Sequence, residues 1–165
     1  MNMAVNTAGV STLGIKLGYA PESTAGTKPS AFKWLERCNS IGGITLETEQ
    51  IDASALEDEI SRYISGRQDT GGTWSVTFNI SDEVITQLET MISAYTSLDG
   101  GKKMWFEVWS PYLTKAFFVV AQPPKHIPMP EEAQNELQTV EMTFTIEEYK
   151  GMDTAIEPTA STGGA

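Results

Sequence analysis

Two stretches of this chain alternate apolar and polar residues without a break, and that period of two decides most of what the chain can become. Trp74, Val76, Phe78 and Ile80 fall on one side of an extended segment, with Ser75, Thr77 and Asn79 on the other. Val140, Met142, Phe144 and Ile146 repeat the arrangement against Glu141, Thr143, Thr145 and Glu147. Successive side chains of a strand point to opposite faces, so each segment predicts a strand with one wet side and one buried side. Leu13, Ile15, Leu17 and Tyr19, separated by Gly14, Lys16 and Gly18, predict a third. Residues 104–109 (MWFEVW) and 116–121 (AFFVVA) flank a linker containing Pro111 and predict a hairpin with a longer turn. Residues 34–38 and 43–49 are weaker strand candidates, joined across Asn39-Ser40 and Gly42-Gly43.

One segment changes period. Val84, Ile85, Leu88, Met91, Ile92 and Tyr95 recur at intervals of three and four, which predicts a helix over about 81–98. Ser81 suits the N-cap, and Asp82 and Glu83 fall in the first turn, where the helix dipole favours negative charge. Ile80 and Ile85 are spaced as a hydrophobic staple, and Asp99-Gly100-Gly101 stops the helix. The expected fold is therefore mainly β within the α+β class: two packed antiparallel sheets forming a sandwich or barrel, flanked by one helix.

Several stretches fit no core element. Residues 50–72 are charged, end in Gly71-Gly72 and scatter their apolar residues, so they are expected as a long loop with room for a short helix around 53–64. Connections of this length inside a domain are uncommon unless they serve a function. Its 23 residues could span about 70 Å if extended. Residues 122–136 hold four prolines and predict a stiff surface excursion. The ends, 1–9 and 151–165, are small and polar and are expected as flexible arms on a domain covering 10–150. Residues 1–8 have neither a basic nor an apolar stretch, so no secretory leader is expected.

Composition excludes several classes of function. Twenty-two acidic against eleven basic side chains leave a formal charge of −11, which opposes tight binding to a phosphate backbone. The single cysteine, Cys38, cannot form an internal disulfide, and with the single histidine, His126, it cannot furnish a structural zinc site. No apolar run approaches the ~20 residues of a membrane helix, so no membrane insertion is expected. His126 lies among prolines with no nucleophile motif nearby and reads as a solvated loop residue. The glycine pairs lack the spacing and the Lys-Ser/Thr of a phosphate cradle. Glu57-Asp58-Glu59 lacks the alternating ligands and turn glycine of a calcium loop. Glu131-Glu132 and Glu147-Glu148 read as solvated faces rather than acid–base pairs. No catalytic, cofactor or metal site is expected, and a hydrolase built from scattered carboxylates has little support. An acidic sugar-binding β-sandwich, stacking its ligand on Trp74, Trp105 or Trp109, is a competing reading.

The order of features also carries a resemblance. A glycine-rich first strand leads to Ser40-Ile41-Gly42-Gly43, an acidic segment at 45–50, Ile51-Asp52 and a stretch at 56–58. Then follows Arg62-Tyr63-Ile64-Ser65-Gly66-Arg67-Gln68-Asp69-Thr70-Gly71, running into the segment 73–79. This resembles the major tail tube proteins of long, non-contractile-tailed bacteriophages, which show Tyr-Ile-x-Gly-x-x-Asp-x-Gly before a strand and the single helix. Tyr63, Ile64, Gly66, Asp69 and Gly71 match, while Ser65 stands where that family often has proline. The resemblance runs over roughly 10–150.

It implies six copies closing into a ring, and rings stacking into a hollow tube through which DNA leaves the capsid without specific binding. Implied partners are the chain itself, the tape measure, the tail terminator and distal tail or baseplate proteins. The implied location is the virion tail, reached from the host cytoplasm. Tube proteins of type VI secretion systems share that fold and are the nearest competitor. Heterologous contacts need segments that leave the parent domain, so the ring interface is expected at Asp52, Leu56, Asp58, Arg62, Tyr63, Ile64, Gly66, Arg67 and Asp69. Glu47, Glu49, Glu141 and Glu147 are candidates for an acidic lumen that repels DNA; the alternative is that they only keep the subunit soluble.

Overall fold

A computed structural model of the chain describes residues 9–160. The arm expected at 1–9 lies outside the described residues except for Gly9, as do the last five residues of the arm expected at 151–165. Nine strands and one helix follow in the order β1 (Lys16–Pro21), β2 (Lys33–Leu35), β3 (Cys38–Ile41), β4 (Glu47–Asp52), β5 (Tyr63–Asp69), β6 (Thr73–Asn79), α1 (Asp82–Thr96), β7 (Met104–Trp109), β8 (Lys115–Gln122) and β9 (Thr139–Thr154). The expectation of a mainly β chain with two antiparallel sheets and one helix holds. The division of strands differs: seven form one sheet in the order β2-β1-β7-β8-β9-β6-β3, and β4-β5 form the other.

The seven-stranded sheet folds on itself. Its two edges, β2 and β3, are joined by only Glu36 and Arg37, so Leu35 and Cys38 stand no more than about 11 Å apart along three Cα–Cα steps. Arg37 makes the corner with φ 63°, and its carbonyl accepts from the Asn79 N–H at 2.9 Å. The strands therefore wrap an interior like the staves of an open barrel. Of the predicted alternations, Leu17, Tyr19, Trp74, Val76, Phe78, Val140, Met142 and Phe144 point into it and are buried with Phe106 and Val119 of the predicted hairpin, whereas Leu13 precedes β1 and is exposed. Phe106 and Phe144 lie 4.8 Å apart between ring centroids, and Trp74 is 5.3 Å from Phe144.

Helix α1 packs on this interior through Val84, Leu88 and Met91. Ser81 caps it by accepting the Val84 N–H at 3.3 Å. Gln87 fastens it to the β2–β3 corner, accepting from the Glu36 N–H at 3.0 Å and donating to Glu36 Oε2 at 2.7 Å.

The outer face is divided. On β6 and β9 it is polar, with Ser75 and Thr143 hydroxyls 3.3 Å apart. On β1, β7 and β8 it carries Ala20, Trp105, Ala116, Phe118 and Val120, which form a second apolar cluster with Phe32. Two chain segments cover this cluster, 22–32 and 155–160. Residues 151–154 are the end of β9, with Thr154 opposite Lys115, and Thr159 bridges in parallel to Lys33 on β2. The chain therefore stays on its own domain as far as the description reaches.

Candidate assembly surfaces

The region expected as a loop at 50–72 is an antiparallel hairpin, and the helix considered at 53–64 does not form. Glu47 pairs with Asp69, Gln50 with Ser65, Ile51 with Ile64 and Asp52 with Tyr63. Between Thr48 and Gln50 the register shifts by one, because Gly66 and Arg67 of β5 bulge against the single residue Glu49. Gly66 sits opposite it, where a Cβ would lie 3.1 Å from the Glu49 carbonyl and 3.3 Å from Ile51 Cδ1. The turn residues use their side chains locally, which is why no helix nucleates there. Ser54 N–H donates to Asp52 Oδ1 at 2.9 Å, Ala55 N–H to Asp58 Oδ2 at 2.8 Å, and Arg62 N–H to Ser54 Oγ at 2.8 Å. The Ser54 hydroxyl and N–H hold the Asp52 carboxyl below its ordinary range.

These contacts sort the expected interface residues into two groups. Asp52, Asp58, Arg62, Gly66 and Asp69 shape the hairpin: Arg62 pairs with Asp58 at 3.3 Å, and Asp69 accepts the Gly71 N–H at 2.9 Å. Leu56, Tyr63 and Ile64 project apolar surface into solvent, joined by Ile51 and Ile60. Leu56 is fully exposed, and Ile51 and Ile64, paired on one face, are 48% and 57% exposed. Arg67 lies beside Glu47, Glu49 and Asp69 at the hairpin base. Every residue of β4 is exposed, so none of it contributes to this chain's own core. Sequence reading missed Ile51 and Ile60 as part of this surface; their lack of any match to a core period was the available signal.

The four acidic candidates are not gathered into one patch. Glu47 and Glu49 are on the hairpin, while Glu141 is exposed on the outer polar face of β9 opposite Thr77. Glu147 lies at a bulge of β9, half-buried, where it accepts from Gln122 and pairs with Lys103 at 3.3 Å.

A groove of about 600 Å³ opens at one end of the barrel, between the β3 side and the mouths of β7, β8 and β9. Ile15, Ile41, Trp74, Val108, Val119 and Tyr149 line it. The tryptophans proposed to stack a sugar are otherwise engaged. Trp74 is buried with its Nε1–H donating to the Gly42 carbonyl at 2.7 Å, and Trp105 is buried with its Nε1–H on Glu22 Oε2 at 2.8 Å. Trp109 is half-buried and has Lys16 Nζ 5.3 Å from its ring centroid. That overturns the stacking platform on which the sugar-binding reading rests. His126 is exposed in the linker between β8 and β9. Cys38 is half-buried, and burial pushes its thiol up to about 12, which makes it a poor nucleophile. Among the described residues, no cluster of three or more His, Cys, Asp or Glu side chains could hold a metal ion. No helix there is long and apolar enough to cross a membrane.

No family model and no curated protein matches this chain. Among solved structures it is similar to a chain in the cryo-EM structure of the anti-feeding prophage cap, the tube terminating cap. The TM-score is 0.54 at 11% identity, covering 94% of this chain and 97% of that one. A chain of the six-fold symmetrised anti-feeding prophage baseplate gives a TM-score of 0.45 at 11% identity, covering 86% and 92%. At that identity the first likeness establishes a shared fold.

Proposed function

We propose that this chain is a structural subunit of a phage-tail-like particle, which closes with its own copies into hexameric rings. The observation that carries the reading is the β4–β5 hairpin: a whole two-stranded sheet that leaves Ile51, Tyr63 and Ile64, with Leu56 and Ile60 of its turn, exposed to solvent and has no place in its own domain's core. A lone hairpin is marginally stable in water, and exposed apolar surface of this kind marks an interaction site. Joining hairpin to neighbour is a heterologous contact, which closes rings and stacks them. The tail-tube resemblance of the sequence and the fold shared with a tube terminating cap support the same role.

In the tube reading the rings stack into a conduit for DNA, with tape measure, terminator and baseplate proteins as further partners in the virion tail. Glu141, Glu47 and Glu49 are then the acids best placed to repel DNA, since Lys103 neutralises Glu147. Replacing them with lysine should slow ejection without stopping assembly. The likeness to a terminating cap favours a second reading, in which one ring ends the tube instead of extending it. A type VI-like tube protein is the same physical object with a different cargo.

Size-exclusion chromatography with negative-stain microscopy tests these readings together. Tubes support the shaft subunit, and isolated rings that add only to tube ends support the cap. A chain that stays monomeric at high concentration, with and without tail components, would overturn both.

A further inference from the structure

Residues 155–160 are held on the barrel's outer face by a short set of contacts. Ala155 N–H donates to the Thr114 carbonyl at 3.1 Å, Trp34 N–H to the Thr159 carbonyl at 2.8 Å, and Thr159 N–H to the Phe32 carbonyl at 3.0 Å. Ile156 N–H donates to Glu107 Oε2 at 2.8 Å. Pro158 is buried on Gly18, where a Cβ would meet its Cγ at 2.9 Å. Under this strap Glu107 is 0% exposed, and its Oε1 is the buried side-chain polar atom without a hydrogen-bond partner among the described residues.

A buried carboxyl with one oxygen unmatched is costly, most of all when ionised. Burial pushes this one up to about 7, against the Ile156 N–H and the charge of Lys28, which pull it down. The surrounding charges are already committed. Lys28 pairs with Asp153 at 2.9 Å and lies over the Phe118 ring, Lys16 pairs with Glu157 at 3.1 Å, and Glu22 is taken up by Trp105, Lys103 and Gly26. Water could reach Glu107 if the strap moved away.

We propose that residues 155–160 form a proton-linked clasp: the strap stays docked while Glu107 is protonated, and when Glu107 gives its proton to solvent the strap lifts from β2 and β7, uncovering Phe32, Trp105 and Phe118. The docked state holds the proton more tightly than the undocked one, so docking weakens as pH rises. From about pH 5 to about pH 8 the docking equilibrium should fall roughly ten- to a hundredfold. The clasp belongs to the single chain and does not depend on the assembly reading.

Amide hydrogen exchange on the full chain, corrected for intrinsic rates, reads it directly. Protection at Trp34, Ile156 and Thr159 should fall by that factor between the two pH values, while Phe144 in β9 stays level. In Glu107→Gln the strap's protection should not change with pH. A level wild-type profile, or an equal fall in Glu107→Gln, overturns the clasp. Should that variant fail to fold, a ¹³C carboxyl titration of wild-type Glu107 decides. A midpoint in the ordinary carboxylate range overturns the proposal, as does a raised midpoint that survives truncation after Thr154.

Discussion

Glu22 and Glu107 are both buried beside the outer cluster, and their partners push them in opposite directions. Burial alone would raise the Glu22 carboxyl, but hydrogen bonds from Trp105, Lys103 and Gly26, with the Lys103 charge, bring it below its ordinary value. A depressed carboxylate contributes stability that is present above its unfolded-state pKa and lost as pH falls through its folded one. Glu22→Gln cannot accept all three bonds with one oxygen, so it should cost roughly 2–4 kcal/mol near neutral pH. Urea unfolding should show that deficit shrinking as pH falls through the folded-state pKa of Glu22, where the wild-type carboxyl is itself protonated; a deficit independent of pH would refute the account. Gly42 is constrained by space. A Cβ there would sit 2.6 Å from the Ser75 carbonyl oxygen, and Ser75 is the backbone partner of the Gly42 N–H. Gly42→Ala should therefore loosen the β3 edge and the Trp74–Gly42 bond together. The expected loss is about 1–3 kcal/mol, with the Trp74 emission shifted toward that of exposed indole.

At the scale of elements, the hairpin and the barrel separate stability from assembly. Leu56→Asp with Ile64→Asp changes only exposed positions, so unfolding free energy should move by no more than about 0.5 kcal/mol. The same pair should abolish ring formation in chromatography, because it puts charge on the exposed apolar side chains the neighbour must bury. Loss of stability equal to loss of assembly would mean that the hairpin serves its own domain. The same distinction explains what was legible in the sequence. β6, β9 and α1 are visible because each packs one face on a core, and burial on one face writes a period of two or of 3.6 into the chain, whereas β7 and β8 are buried on both faces and show as short, nearly continuous apolar runs. β4 and β5 bury neither face here, so ETEQID and YISGRQD carry no such period and read as a loop. β2 and β3 are three and four residues long, too short for a period to show, and their joining at Arg37 depends on curvature that only the whole sheet sets. Residues 155–160 have a composition typical of a free tail. They dock because Gly18 leaves room for Pro158 and Glu107 offers an acceptor, both supplied by strands far away in sequence.

For the whole molecule, charge opposes what the hairpin promotes. Each copy carries a formal −11, so bringing copies into a ring concentrates like charge. The hairpin base shows the conflict locally: Glu47 and Asp69 stand directly opposite one another, and cross-strand like charges destabilise a pair. The described ion pairs are surface contacts within the chain, such as Lys150 with Glu148 at 2.8 Å, and they leave the excess acid unneutralised. Contact between copies is short-ranged and apolar, whereas the repulsion reaches about 30 Å at 0.01 M salt and about 8 Å at 0.15 M. Assembly driven by apolar burial should therefore accelerate over that range of ionic strength, as light scattering of the purified chain would record. If Arg62 and Arg67 instead joined copies through acidic partners, salt would slow assembly, and Arg67→Gln would slow it further. The direction of the salt effect thus separates burial from ion pairing as the force that joins the copies.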